Sequence, residues 1–223
     1  MAYILNIETS TTNCSVALSQ NGIVVGIKED NNLEYSHAER LHVYIDEVLK
    51  VAKISIDQLD AIAVSKGPGS YTGLRIGVSA AKGLSYALNI PLISVPTLEA
   101  LAHQIEIPKG AIVAMLDARR MEVYSAIYDA NYNETRATEA EVLTPDSYQE
   151  LLKSSIVYFV GNGVAKTKDL ITHKNAQFIE NKLPSAKQMC ALSYRKFKSN
   201  TFEDVAYFEP YYLKDFIAIP SKK

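Results

Sequence analysis

The stretch VSKGPGSYTGLRIGVSAAKGLSYAL, residues 64–88, decides how the rest of this chain is interpreted. Its pattern predicts the end of a strand, a loop interrupted by glycine and proline at 67–69, and a helix over 73–88. Because glycine has no Cβ, backbone N–H groups in such a loop can approach an anion or another backbone segment closely. The loop alone leaves two interpretations open: a loop that binds phosphate or nucleotide, and a strand-to-helix turn whose helix packs tightly.

The composition is typical of a folded soluble protein. Of 223 residues, 48% are hydrophobic and 22% are charged, which suits one large domain or two small lobes. The net charge of −2 provides no basic field for unaided nucleic-acid binding. Two cysteines form neither a disulfide framework nor a zinc pattern. With no signal peptide and no membrane-spanning run, we expect a cytoplasmic protein that does not bind a membrane.

The predicted elements occur twice in the same order: strand, acid, turn, strand, hairpin, strand, helix, strand, helix. The first strand of each series ends at an acid, Glu8 and then Asp117. Crossover helices between strands predict an α/β fold of two lobes, each with a mixed sheet, divided into residues 1–106 and 107–223. In the first lobe, Ser36 and Glu39 form a capping box that predicts the start of the first helix.

This duplication resembles the actin-like, hexokinase-like (ASKHA) fold, in which the strand–acid–turn–strand hairpins hold phosphates and a metal between two lobes. An acid followed by hydroxyl groups is suitable chemistry for phosphate or Mg²⁺, although such acids can equally cap turns. The candidate cofactor-binding residues are Glu8, Thr9, Ser10, Gly67 and Gly69.

Five runs together resemble the TsaB (YeaZ) family: LNIETS at 5–10, GPGSYTGLRIG at 67–77, AKGL at 81–84, SVPTLEAL at 94–101 and EPYYLK at 209–214. In the last run Lys214 stands where the family more usually has Arg. The resemblance implies a subunit of the bacterial machinery that makes N6-threonylcarbamoyladenosine at position 37 of tRNA. Such a subunit pairs with the catalytic paralogue TsaD, the pair recruits the ATPase TsaE, and tRNA is met only through the complex.

The resemblance also predicts that this chain is not the catalyst. TsaD binds its metal through two histidines four residues apart, a spacing that places both imidazoles on one face of a helix. The matching positions here are Thr97 and Leu101, which cannot provide that pair. We therefore expect no catalytic residue, no metal and no cofactor of its own, although ATP or ADP at the interface of the complex stays possible. A metallopeptidase is disfavoured for the same lack of ligands.

The helix over 73–88 needs a reason for its small residues, since glycine within a helix costs about 0.5–1 kcal/mol relative to alanine. Close packing of another helix is one explanation, and burial of both faces inside the monomer is the other. The resemblance implies pairing through the first two helices, 36–52 and 73–88, with TsaD or with a second copy. The interface candidates are His37, Arg40, Tyr44, Val51, Gly73, Gly77, Ala80 and Ala87.

One alternative remains from the residues alone: an autonomous nucleotide-binding ATPase or phosphotransferase of the actin-like class. Its site would combine Glu8, Thr9 and Ser10 with Asp117 and the loop at 67–69. The second lobe offers only Gly161-Asn162-Gly163 as an adenosine-binding glycine pair, and we interpret this run as a turn.

Overall fold

The computed structural model describes residues 1–31 and 37–214, and the first half of the chain forms a five-stranded sheet. Its strands are β1 (Tyr3–Glu8), β2 (Cys14–Gln20), β3 (Ile23–Asp30), β4 (Ala61–Ser65) and β5 (Leu92–Val95), in the order β3-β2-β1-β4-β5. The first three strands pair antiparallel, whereas β4 pairs in parallel with both β1 and β5. Asn21 and Gly22, both with positive φ, make the predicted hairpin between β2 and β3.

The second half of the chain repeats this sheet. Its strands are β6 (Ala111–Asp117), β7 (Glu122–Asp129), β8 (Glu134–Val142), β9 (Val157–Val160) and β10 (Ala176–Ile179), in the order β10-β9-β6-β7-β8. Each strand therefore occupies the same place as its counterpart in the first sheet, with the same parallel and antiparallel neighbours. The predicted duplicated two-lobe α/β fold is confirmed. The strand β10, only four residues long, was not predicted.

The helices are α1 (His37–Ala52), α2 (Tyr71–Leu88), α3 (Thr97–Ala102), α4 (Gln149–Ser154), α5 (Val164–Leu170) and α6 (Ala186–Lys198), with a 3₁₀ turn at Ile56–Gln58. The predicted cap of α1, Ser36, lies outside the described residues. Helix α2 begins two residues earlier than expected because the Ser70 hydroxyl accepts a hydrogen bond from the Gly73 N–H at 3.3 Å. Within the described residues, no helix is long and apolar enough to cross a membrane.

The side chains of β1 point alternately to the two faces of the first sheet, and each face has its own hydrophobic core. Leu5 and Ile7 pack with α1 and α2, whereas Ile4 faces the opposite side of the sheet and packs with α6. Successive side chains of a strand point to opposite faces, so one buried strand supplies both cores. Helices α1 and α2 consequently lie side by side on one face, where each keeps a solvent-facing side.

The helices that follow the last strand of each half pack on the sheet of the other half. Leu98 and Leu101 of α3 lie in a cluster with strands of the second sheet, while Met189 and Cys190 of α6 lie in a cluster with strands of the first. The expected division at residues 106 and 107 stays a prediction. Although α6 lies in the second half of the chain, it packs on the sheet of the first half. Nonlocal apolar contact, not chain order, decides where these two helices lie.

A buried polar network holds α6 on the first sheet. The Ser193 hydroxyl donates to Asn6 Oδ1 at 2.7 Å, and Asn6 Nδ2 donates to the Ile4 carbonyl at 3.0 Å. Both Asn6 and Ser193 are fully buried. Removing one member would leave a buried polar atom without its partner, which is costly in a low-dielectric interior.

We predict that Ser193→Ala lowers the free energy of unfolding by about 1–3 kcal/mol, because Asn6 Oδ1 loses its donor. Urea denaturation measures this change. The control is Ser79→Ala, which removes an exposed hydroxyl from α2 and should change stability little. Equal small effects of the two substitutions would contradict the packing of α6 on Asn6.

Candidate functional site

A cleft of about 560 Å³ lies between the two lobes. The turn after β1 and the turn after β6 both line it, as the predicted architecture requires. Its walls are residues 10–12 and 68–72 from the first lobe, residues 116–119, Tyr124 and Asn162 from the second, and residues 211–214 near the C-terminus.

Glu8, at the end of β1, is fully buried and does not line this cleft. Its Oε1 accepts a hydrogen bond from the Ser10 N–H at 2.6 Å, and its Oε2 has no hydrogen-bond partner within residues 1–31 and 37–214. Burial raises the pKa of the Glu8 carboxyl, an effect that the nearby Ser10 and Ser65 groups only partly oppose. This acid caps its own turn.

The glycines that follow β4 are in contact with the turn after β1. A Cβ on Gly69 would lie 2.5 Å from the Ser10 carbonyl oxygen, and one on Gly73 would clash with the Thr9 carbonyl oxygen. The Ser70 N–H donates to the Ser10 carbonyl at 2.7 Å, and the Thr9 hydroxyl donates to the Gly73 carbonyl at 2.8 Å. The close approach that glycine permits is thus between two backbone segments of this chain.

These contacts do not fit phosphate groups bound at the glycine loop. The Ser70 N–H is already used, and the space beside Gly69 is filled by Ser10. Of the five candidate cofactor-binding residues, Ser10 and Gly69 line the cleft, whereas Glu8, Thr9 and Gly67 do not. The interpretation of 67–69 as a packing turn therefore accounts for the observed contacts.

Thr97 and Leu101, which the resemblance matches to the metal ligands of TsaD, both have structural contacts here. The Thr97 hydroxyl accepts a hydrogen bond from the Gly67 N–H at 3.0 Å and lies 2.5 Å from the Ser65 hydroxyl. Leu101 is fully buried. Among the described residues, no group of three or more His, Cys, Asp or Glu side chains is placed to hold a metal ion.

The second turn is bound within its own lobe. Asp117 Oδ1 accepts hydrogen bonds from the Arg119 N–H at 2.6 Å and from Lys166 Nζ at 3.0 Å. Asn162 Oδ1 accepts the Asp117 N–H at 2.8 Å. Gly161, at φ +119°, has no room for a Cβ beside the Met115 carbonyl, so this glycine run serves as a turn.

The interface expectation needs correction at three positions. Gly73 and Gly77 are buried, and their small size accommodates Thr9 of the same chain. His37 is also buried, with Nε2 2.7 Å from the Thr11 carbonyl, and burial lowers its pKa. The pattern of small residues on α2 indicated close packing correctly, but for the inner glycines the packing partner is the turn after β1.

The remaining candidates lie on the solvent side of α1 and α2. Arg40 forms an ion pair with Asp30, and the Tyr44 hydroxyl lies 3.4 Å from the same carboxylate. The side chains of Arg40 and Tyr44 therefore already have polar partners within the chain. We call the apolar and small residues on the solvent side the outer patch. It comprises the exposed residues Val51, Gly83, Tyr86 and Ala87 together with the half-buried Ala80.

Gly83 and Tyr86 were missing from the predicted interface. Gly83 is exposed, and a Cβ built on it would meet no atom within 4 Å. Tyr86 is 82% exposed. Helical periodicity could have found Gly83, since it follows the buried Leu74 by nine residues, or about 180° around the helix. Within residues 1–31 and 37–214, no close contact offsets the cost of this glycine.

Comparison with known proteins gives consistent matches over most of the chain. The family model described as "TsaD: tRNA N6-adenosine threonylcarbamoyltransferase" matches residues 31–220. The tRNA threonylcarbamoyladenosine biosynthesis protein TsaB of Escherichia coli is 33% identical, with 99% of each chain covered.

The chain belongs to the TsaB (YeaZ) group of this family.

Other members agree with this assignment. TsaB of Haemophilus influenzae is 30% identical over 95% of this chain and 93% of that protein. The solved structure of YeaZ from Pseudomonas aeruginosa is 28% identical, covers 96% of this chain and 100% of that chain, and superposes with a TM-score of 0.82. The two-lobe arrangement described above is therefore the fold of a TsaB protein.

Two alanine substitutions on α2 should have opposite effects on the isolated chain. Gly73→Ala should lower the free energy of unfolding by about 1–3 kcal/mol because the new Cβ forces the Thr9 carbonyl to move. Gly83→Ala should raise it by about 0.5–1 kcal/mol because alanine favours the helix and the space is open. Thermal or urea unfolding of both variants measures this, and destabilisation by Gly83→Ala would contradict the placement of Gly83.

The Glu8 carboxyl should make stability depend on pH. Its raised pKa means that the folded chain binds more protons than the unfolded chain above the ordinary value of 4.5, so its contribution to stability is lost as pH rises. Glu8→Gln keeps an acceptor for the Ser10 N–H and carries no charge. We expect its stability relative to the parent chain to grow as pH rises from 4.5 towards 8.

Unfolding measured across this pH range checks that expectation, with Glu106→Gln at an exposed position as the control. A relative stability of Glu8→Gln that stays constant or falls with pH would show that the Glu8 carboxyl does not have the buried surroundings described.

Proposed function

We propose that this chain is a non-catalytic partner subunit in the synthesis of N6-threonylcarbamoyladenosine on tRNA, acting in the cytoplasm. The observation that carries the proposal is the outer patch of α1 and α2, with Gly83 at its centre. Glycine within a helix is unfavourable in an isolated chain, and a docked helix would offset its cost while it covers the exposed Tyr86 ring. The names of the E. coli and H. influenzae relatives supply the pathway.

The partner that fits this patch best is the catalytic paralogue TsaD. A paralogue with the same fold carries an equivalent pair of helices, and small residues let two such pairs approach closely. Ala80, Gly83 and Ala87 would form the floor of the contact, with Val51 and Tyr86 beside it. A second copy of this chain would use the same surface in the absence of TsaD, and TsaE and tRNA would join only through the complex.

The contacts around Thr9, Ser10 and Thr97 support a role without catalysis. The glycine loop is occupied by the chain's own turn, and the Thr97 hydroxyl is bound to the Gly67 N–H. We infer that the chain needs no metal or nucleotide of its own and contributes by binding and positioning TsaD.

Substitutions on the outer patch test this proposal. Gly83→Arg and Ala87→Arg place a long charged side chain in the contact while keeping good helix formers, so the chain should stay folded. We expect each to weaken association with TsaD by at least about tenfold, seen as loss of co-elution in size-exclusion chromatography. Threonylcarbamoyladenosine formation by the reconstituted system should fall in parallel.

Lys153→Glu is the matched control, because Lys153 is an exposed charge on α4 in the second lobe. Co-elution of Gly83→Arg with TsaD at the level of the parent chain would overturn the assignment of the outer patch.

A further inference from the structure

Residues 203–214, which we call the C-terminal strap, run along the open edge of the first sheet. The Glu203 N–H donates to the Leu92 carbonyl at 2.8 Å, in an isolated antiparallel bridge to β5. The Ser94 hydroxyl donates to the Glu203 carboxylate at 2.5 Å. The strap therefore begins as a covering for the edge strand β5, whose backbone groups would otherwise be unpaired.

The middle of the strap is bound to α2 and to the core beneath it. Lys82 Nζ donates to the carbonyls of Ala206 at 3.1 Å and Phe208 at 2.9 Å. The Phe208 side chain is buried with residues of α1 and α2. Since these contacts combine charge-assisted hydrogen bonds with apolar burial, this part of the strap moves with the first lobe.

Beyond Phe208 the strap crosses the glycine loop and enters the wall of the cleft. The Tyr211 N–H donates to the Lys66 carbonyl at 2.7 Å, and the Tyr212 ring lies 5.0 Å from the Tyr71 ring. The last described residue, Lys214, forms an ion pair with Glu122, the first residue of β7 in the second lobe. The strap is thus bound to one lobe by several contacts and to the other by this pair.

We propose that the C-terminal strap holds the cleft at its observed width, with the Lys214–Glu122 ion pair as the latch. Separation of the lobes would carry Glu122 away from Lys214, because the strap stays fixed to the first lobe at Lys66 and Lys82. The pair is only partly buried, with 39% of the Lys214 side chain and 23% of the Glu122 side chain exposed. Such a pair is weak and screened by salt, so it shifts the equilibrium between open and closed clefts towards the closed one but does not prevent opening.

The distance between the lobes in solution tests this proposal. Spin labels at Thr72→Cys and Asp169→Cys, both exposed, report it through the dipolar coupling between them. The native Cys14 and Cys190 are buried, and burial raises the pKa of their thiols to about 11 and about 12, so they resist labelling. We expect a narrow distribution for the parent chain and, in Lys214→Ala, an increase of about two- to five-fold in the ratio of open to closed molecules.

Three comparisons make the result specific. Lys153→Ala, which breaks an ion pair within α4, should leave the distribution unchanged. Salt at about 1 M should act on the parent chain as Lys214→Ala does, and Lys214→Glu combined with Glu122→Lys should restore the narrow distribution. An identical distribution in the parent chain, in Lys214→Ala and in high salt would overturn the latch. The measurement uses the chain alone, so it does not depend on the proposed binding of TsaD.

Discussion

The contact between the turn after β1 and the glycine loop is the constraint on which the rest of the first lobe depends. Thr9 and Ser10 pack directly against Gly73 and Gly69. The Ser70 N–H donates to the Ser10 carbonyl at 2.7 Å, and the Thr9 hydroxyl donates to the Gly73 carbonyl at 2.8 Å. No other residue type could occupy these two glycine positions without moving the turn, since the clash is with backbone carbonyl groups. This contact fixes α2 against β1 and leaves the opposite side of the helix facing solvent.

The two sides of α2 differ in what offsets the free-energy cost of their glycines. Gly73 and Gly77 cost about 0.5–1 kcal/mol each, and the close seating of Thr9 offsets that cost within the chain. Gly83 has the same cost and, within the described residues, open space around it, so a docked partner of the kind proposed would offset that cost. In the proposed function the outer patch is the surface for that partner, while the inner side of the helix packs against the chain's own turn after β1.

Much of the fold could be predicted from the sequence because the same local patterns occur in both halves of the chain, such as the acids that end β1 and β6. The strand β10 was missed because its four residues, AQFI, follow a polar stretch, whereas the equally short β5 and β9 are more continuously apolar. The exchange of α3 and α6 between lobes could not be predicted, since apolar stripes do not say which sheet they cover. Helical periodicity distinguishes the two sides of α2, but only the position of Thr9 shows that Gly77 packs against the same chain. The contact of His37 with the Thr11 carbonyl is likewise visible only in the structure.

Cysteine footprinting of the chain with and without TsaD tests most directly the claim that this protein docks through α2 and not through its cleft. Ala87→Cys reports the outer patch and Thr12→Cys reports the cleft wall, while the buried native cysteines stay unreactive. The account predicts that TsaD slows alkylation at position 87 and leaves position 12 reactive. Protection at position 12 with no change at position 87 would contradict it.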